Sequence, residues 1–192
     1  MKLTEIRIKN FRSIIDTNVV SVNQVTVIVG KNNQGKSNFI KAIDIAFQAI
    51  SHFSMIGSIR ARRTSIYDYE RDFPFFTQCS GQSTEVFLRF SINDDESKKL
   101  YNITSMKLSN YLNAIVSICE DSRITIKYSK RGATGLEKFA NDISRFILSS
   151  INFINIHAVR TESDSINVIN QLIQNRMRFI DEDREYSEAM KV

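Results

Sequence analysis

Residues 27–43, VIVGKNNQGKSNFIKAI, constrain this chain more than any other stretch. They begin inside a β-branched run, residues 24–29 (QVTVIV), whose composition suits a short buried strand. A polar loop comes next, with Gly30 and Gly35 in a chain that has only 6 glycines. From Lys36 the apolar residues fall at Phe39, Ile40, Ile43, Phe47 and Ile50, which is the spacing of one helix face. Residues 30–37 thus spell G-x-x-x-x-G-K-S between an expected strand and an expected helix, the context that a phosphate-binding loop requires. The glycines let the backbone bend so that successive N–H groups form an anion nest. The helix adds its unpaired N–H groups and the positive end of its dipole. Lys36 is placed to reach β- and γ-phosphates as a point charge, and the Ser37 hydroxyl to ligate a Mg²⁺ ion that bridges them. The expected phosphate cradle is therefore Gly30, Lys31, Asn32, Asn33, Gln34, Gly35, Lys36 and Ser37, with Ser37 also the metal ligand.

The rest of the chain is compatible with one α/β unit. Its 192 residues are enough for a sizeable core, and 42% hydrophobic with 24% charged residues is ordinary for a globular protein. A formal charge of +5 permits a polyanionic partner without requiring one. Cys79 and Cys119 have no metal-ligand spacing and read as buried free thiols of a reducing compartment. The N-terminus lacks a signal-peptide pattern and no run is long and apolar enough to span a bilayer, so the expected location is the cytoplasm, with no membrane partner. Alternation predicts strands in KLTEIRIK, in SIIDTNVVSV with a bend at residues 16–18, and in STEVFLRFSI. Asp94, Asp95 and Glu96 read as a helix N-terminus. AIVSI and RITIKYS read as a hairpin around Glu120, Asp121 and Ser122. Leu136, Phe139, Ala140, Ile143, Phe146 and Ile147 define an amphipathic helix, NFINIHAV a further strand, and Ile166, Ile169, Leu172 and Ile173 the start of a last helix that turns strongly charged.

Two motifs taken together narrow the class. The chain opens with IRIKNFRSI and carries GKNNQGKSNFIKAI about twenty residues later. This resembles the N-termini of the RecF, SMC and OLD (overcoming lysogenization defect) group of ABC-type ATPases, whose first strand ends in an Asn-Phe-Arg-Ser-like turn. Their loop carries Asn at its third position and often Asn after the Ser, here Asn32 and Asn38. Residues 69–96 also look like the middle of an OLD-type ATPase lobe. The resemblance covers about the first 100 residues well and the later INIHAV more loosely. It implies a P-loop NTPase fold, the N-terminal lobe of an ABC-type ATPase head with a β-rich N-terminal edge, and it implies ATP and Mg²⁺ as ligands. Asn38 joins the nucleotide-binding set, and Arg12 becomes a candidate phosphate-side contact whose other reading is a solvated turn arginine. In the group, a glutamine after a later strand usually helps to hold Mg²⁺. Here HAVRTES stands in that region without a glutamine, so His157 or Arg160 occupies it in some other role, of which structural hydrogen bonding is the plainer one for a lone histidine.

Such an ATPase also needs a signature helix that caps the opposing head's γ-phosphate, and an apolar strand ending in Asp-Glu. CSGQS (residues 79–83) precedes a strand and reads as a turn, IVSICED (115–121) reads as part of the hairpin, and FIDEDRE (179–185) as a solvated helix face. No catalytic base is identified, and Arg60, Arg62 and Arg63 read as a solvated loop more readily than as a nucleic-acid contact. The expected organisation is an N-terminal lobe over residues 1–192 of a longer protein: a phosphate-loop core over about 1–50, a β/α region over about 84–160, and a helix toward an arm or dimerisation region over about 163–192. The expected partners are ATP, a C-terminal half of the head, a second head joined through ATP in a homodimer or higher oligomer, and DNA. The expected role is an ATPase head in DNA repair or anti-phage defence, with any nuclease in a Toprim domain or partner. Two alternatives are a RecF- or SMC-like DNA clamp without nuclease and a nucleotide sensor that does not hydrolyse.

Overall fold

The computed structural model describes residues 1–32, 34–56, 66–75, 82–106, 110–121, 123–129 and 135–156, together with 166, 169, 170 and 173. Strand β1 (Lys2–Phe11) is followed by two short strands, β2 (Ile14–Asp16) and β3 (Val20–Ser21). The expected bend lies between them, with Asn18 left-handed at φ 53°. Helix α1 (Lys36–Ile56) leaves the phosphate-type loop, and a four-residue helix α2 (Tyr69–Asp72) precedes β4 (Thr84–Ser91). Helix α3 (Asp94–Thr104), the hairpin β5 (Tyr111–Ile118) and β6 (Ile124–Ser129), a 3₁₀ turn (Leu136–Phe139) and helix α4 (Ala140–Ser150) complete the order.

Every strand pairing among the described residues is antiparallel, in the order β2-β1-β4-β5-β6, with β3 also on β1. Period-two alternation puts Ile6, Ile8, Val86, Leu88, Phe90, Leu112, Ala114, Val116, Ile118, Ile124, Ile126 and Tyr128 on one buried face. Helices α1 and α4 pack on each other, and α1 lies against β1, β4, β5 and β6. Ala42, Ile45, Ala46, Ala49 and Ile50 of α1 are buried at 1% exposure or less, and Phe47 meets Phe90 edge-on at 6.4 Å. Each fully buried Ile, Leu or Phe adds roughly 1.5–3 kcal/mol of transfer free energy. The expected start of α3 is a full capping box: Asn93 accepts from the Glu96 N–H, and the Glu96 carboxylate accepts from the Asn93 N–H. The Glu120–Asp121 stretch is a hairpin turn, closed by the Cys119 N–H to the Arg123 carbonyl at 3.0 Å.

Three sequence expectations fail. Residues 24–29 form no strand, and Val25, Val27 and Val29 are 81%, 74% and 85% exposed. A strand requires a neighbour to hydrogen-bond. The Val22 N–H still reaches the Thr4 carbonyl at 2.7 Å, and beyond it no strand among the described residues pairs with the segment. The segment keeps β-branched composition without a ladder. NFINIHAV likewise shows no strand over residues 151–156, and Ile156 is 55% exposed. Cys119 is free and half-buried rather than fully buried.

The chain divides into units Met1–Ile151 and Asn152–Val192. In the second, residues 166, 169, 170 and 173 are helical, and Ile166, Ile169 and Ile173 are each more than half exposed. Asn33, the Arg60/Arg62/Arg63 cluster, Cys79, His157, Arg160 and residues 179–185 lie outside the described residues. No described helix is long and apolar enough to cross a membrane.

Candidate functional site

The loop of residues 30–37 runs directly into the first turn of α1, which begins at Lys36. Lys36 Nζ donates to the carbonyls of Gly30 and Lys31, each at 2.6 Å, so the loop curls around its own ammonium. Gln34 Oε1 accepts from the Lys31 N–H at 3.0 Å and spans the same curve from inside. Phe39 N–H donates to the Gly35 carbonyl at 2.9 Å, making Gly35 the cap of the helix. Gly35 has φ +83°, a left-handed conformation that costs a non-glycine residue about 1–2 kcal/mol. A Cβ there would stand 2.9 Å from Ser13 Oγ. The glycine is therefore required twice, by backbone conformation and by the close approach of the β1–β2 turn.

That turn is the second part of the site. Asn38 Nδ2 donates to Ser13 Oγ at 2.9 Å, which ties the first turn of α1 to the turn after β1. Arg12 Nη1 reaches Asn38 Oδ1 at 3.4 Å, and Arg12 Nε donates to Asp72 Oδ1 at 2.8 Å. The Arg12 backbone N–H also donates to the Asp72 carbonyl, at 2.7 Å. Arg12 itself is left-handed, with φ 51°, as is Asn10 with φ 52°. Arg12 and Ser13 thus both meet Asn38 in the first turn of α1, and Ser13 also lies against Gly35, a placement that sequence spacing alone could only propose.

Asp72 has no exposed side-chain surface. Burial by itself would raise its pKa. Hydrogen bonds from Arg71, the Asp68 N–H and Arg12 outweigh that and hold the carboxyl below the usual carboxylate range. The segment carrying Asp72 is pinned at its other end. Tyr67 Oη and Thr84 Oγ1 are 2.7 Å apart, and Thr84 Oγ1 donates to the Asn10 carbonyl. Burial pushes the Tyr67 hydroxyl up to about 12. Tyr69 and Phe73 stack at 4.7 Å between ring centroids, and Phe73 is buried. Sequence reasoning did not single out Asp72. It lies sixty positions from Arg12 in an irregular stretch, and its one local signal is a carboxylate set among aromatics before Pro74.

A helix N-terminus, a curved loop with a lysine on its inner side and an arginine turn seated on the same helix together form a place for an anion with several phosphates. Ser37 is the only hydroxyl within the G-x-x-x-x-G-K-S motif. Among the described residues no cluster of three or more His, Cys, Asp or Glu could hold a metal unaided, so a divalent ion here would depend on Ser37 and on oxygens brought by the ligand.

Comparison with known proteins bears on the family and the fold. The family model described as AAA ATPase domain matches residues 1–189. Two curated relatives are DNA replication and repair proteins RecF. That of Bacillus cytotoxicus is 29% identical over 114 residues, 58% of this chain and 29% of that protein. That of Ligilactobacillus salivarius is 42% identical over 52 residues, 27% of this chain and 14% of that protein. The chain thus spans less than a third of the curated relatives it matches. The fold is similar to a solved structure from work on ATP-driven dimerization and DNA-stimulated activation of SMC ATPases. That similarity covers 90% of this chain and 99% of the other at 18% identity, with a TM-score of 0.53.

Proposed function

Because this chain belongs to the AAA ATPase domain family and has the fold of an ABC-type ATPase head, we propose that it is the N-terminal, nucleotide-binding lobe of a head in which ATP controls association with a second head. The observation that carries this reading is the joining of three pieces at the start of α1: the curled loop with Lys36, the required glycine at 35, and the Arg12–Ser13 turn held on Asn38. Lys36 and the loop N–H groups bind the β- and γ-phosphates. The Ser37 hydroxyl is the protein ligand for Mg²⁺, which supplies charge neutralisation across the phosphates when bound. Arg12 adds a second cation from the turn. Gln34 braces the loop at the Lys31 N–H, and Asn32 and Asn33 belong to the binding set through the motif. Hydrolysis requires a clamped γ-phosphate and an oriented water, which this reading assigns to a C-terminal half and an opposing head. The exposed β-branched residues 25–29 support that assignment, since they have the composition of a core strand and no neighbour among the described strands.

The finer reading is an OLD-like protein of DNA repair or anti-phage defence, supported by the resemblance of residues 69–96. A RecF-like clamp without nuclease is favoured by the RecF matches. Nuclease activity separates them: metal-dependent DNA cleavage by the protein, alone or with a partner, supports the first, and DNA binding without cleavage the second. The loop assignment is tested by titration calorimetry of ATP–Mg²⁺ into the complete protein. Lys36→Ala is expected to weaken binding at least tenfold, about 1.4 kcal/mol. Equal affinity for mutant and parent would refute the assignment.

A further inference from the structure

We propose that Asp72 is the positioning residue for Arg12, setting the arginine's guanidinium toward the nucleotide phosphates before ATP arrives. This rests on the reading of residues 30–37 as an ATP site. Asp72 holds Arg12 at two levels: its carbonyl takes the Arg12 N–H at 2.7 Å, and its Oδ1 takes Arg12 Nε at 2.8 Å. The first contact accounts for an arginine kept in a left-handed conformation that non-glycine residues seldom adopt. The second uses the inner edge of the guanidinium and turns Nη1 to Asn38, the residue after Ser37.

The carboxylate is itself immobilised. Arg71 grips it with Nε to Oδ1 at 3.0 Å and Nη2 to Oδ2 at 2.7 Å, and the Asp68 N–H donates to Oδ2 at 3.1 Å. Asp68 in turn caps α2 by accepting from the Glu70 and Arg71 N–H groups. Arg71 is 56% exposed and adjacent in sequence, whereas Arg12 is 30% exposed and comes from the turn that touches the loop helix. A buried carboxylate that links these two arginines fixes the rotamer of a long side chain whose freedom would otherwise be lost on binding. Pre-setting a cation in this way raises affinity without a new ligand contact.

A double-mutant cycle on the complete protein tests the proposal, with ATP–Mg²⁺ affinity by calorimetry and melting temperature measured in parallel. Arg12→Ala and Asp72→Asn are each expected to weaken ATP binding ~3- to 10-fold. In the Arg12→Ala background, Asp72→Asn is expected to lower the melting temperature but leave affinity unchanged. Affinity losses that multiply, or wild-type affinity in Asp72→Asn beside a weakened Arg12→Ala, would overturn the proposal. If Asp72→Asn does not fold, Arg12→Lys serves. It keeps the charge but cannot bridge Asp72 and Asn38, so it should bind ATP as weakly as Arg12→Ala, and wild-type affinity overturns the assignment. Lys36→Ala separates the two levels. If only Lys36→Ala weakens binding, the positioning role fails and the phosphate loop stands. If Lys36→Ala binds as the parent does, the loop reading fails and this inference with it.

Discussion

At the scale of single residues, the two glycines of the loop carry different demands. Gly35 is left-handed and faces Ser13 Oγ at 2.9 Å from an added Cβ. Ser13 is not free to retreat without cost, because Asn38 Nδ2 donates to the same oxygen. Gly30 is not left-handed, and an added Cβ there would lie 3.3 Å from Gln34 Oε1 and 3.9 and 4.0 Å from Lys36 Cδ and Cγ, all of them side-chain atoms. Gly35→Ala is therefore expected to destabilise the nucleotide-free protein by about 1–2 kcal/mol, from the left-handed conformation alone. Gly30→Ala should stay within about 0.5 kcal/mol. Urea unfolding of the two variants side by side checks this. Equal losses would show that the Gly35 approach to the β1–β2 turn does not constrain the loop.

Among the elements, the segment before the loop is where composition and structure part. Residues 24–29 have a strand's side chains, yet Val25, Val27 and Val29 lie at 74–85% exposure. A side chain that exposed has almost no apolar area to lose. Val27→Asp is thus expected to change the unfolding free energy of residues 1–192 by no more than about 0.5 kcal/mol. In the complete protein the same substitution should cost more than about 2 kcal/mol, if a partner strand covers the segment as the proposed head requires. Equal, small effects in both would remove the argument that the run is a core strand awaiting its neighbour. Helix α3 shows the opposite case. Its start was readable from Asp94, Asp95 and Glu96 because a capping box is built from residues three apart in sequence.

For the whole molecule, the proposed reading makes the loop, the helix start and the arginine turn one side of a phosphoryl-transfer site. The proposed head supplies the other sides from a C-terminal half and a second copy. Residues 1–192 alone are expected to release phosphate from ATP–Mg²⁺ no faster than buffer. The complete protein should hydrolyse ATP at a rate that rises more than linearly with protein concentration, because two heads must meet. A phosphate-release assay across a concentration series checks both. Steady turnover by residues 1–192 that is linear in concentration and abolished by Lys36→Ala would mean that the chain holds its own base. Glu120 and Asp121 would then be mutated first, although here they form a hairpin turn, with Asp121 paired to Arg123.

What the sequence by itself determined is local. The G-x-x-x-x-G-K-S motif, the helix from Lys36, the alternating strands, the hairpin at residues 119–123 and the cap of α3 all depend on residues within a few positions of one another. Period, turn chemistry and capping are short-range physics, and a single chain displays them. Two things were decided only in three dimensions. One is whether the β-branched run before the loop becomes a strand, because a strand exists only through hydrogen bonds to a neighbour whose place the local sequence does not fix. The other is the Asp72–Arg12–Asn38–Ser13–Gly35 network, whose members span residues 12 to 72. No periodicity links an acid in an irregular stretch to an arginine in the first turn. Folding joins them because the sheet places the end of β1 beside the start of β4, and Thr84 and Tyr67 carry α2 to that end.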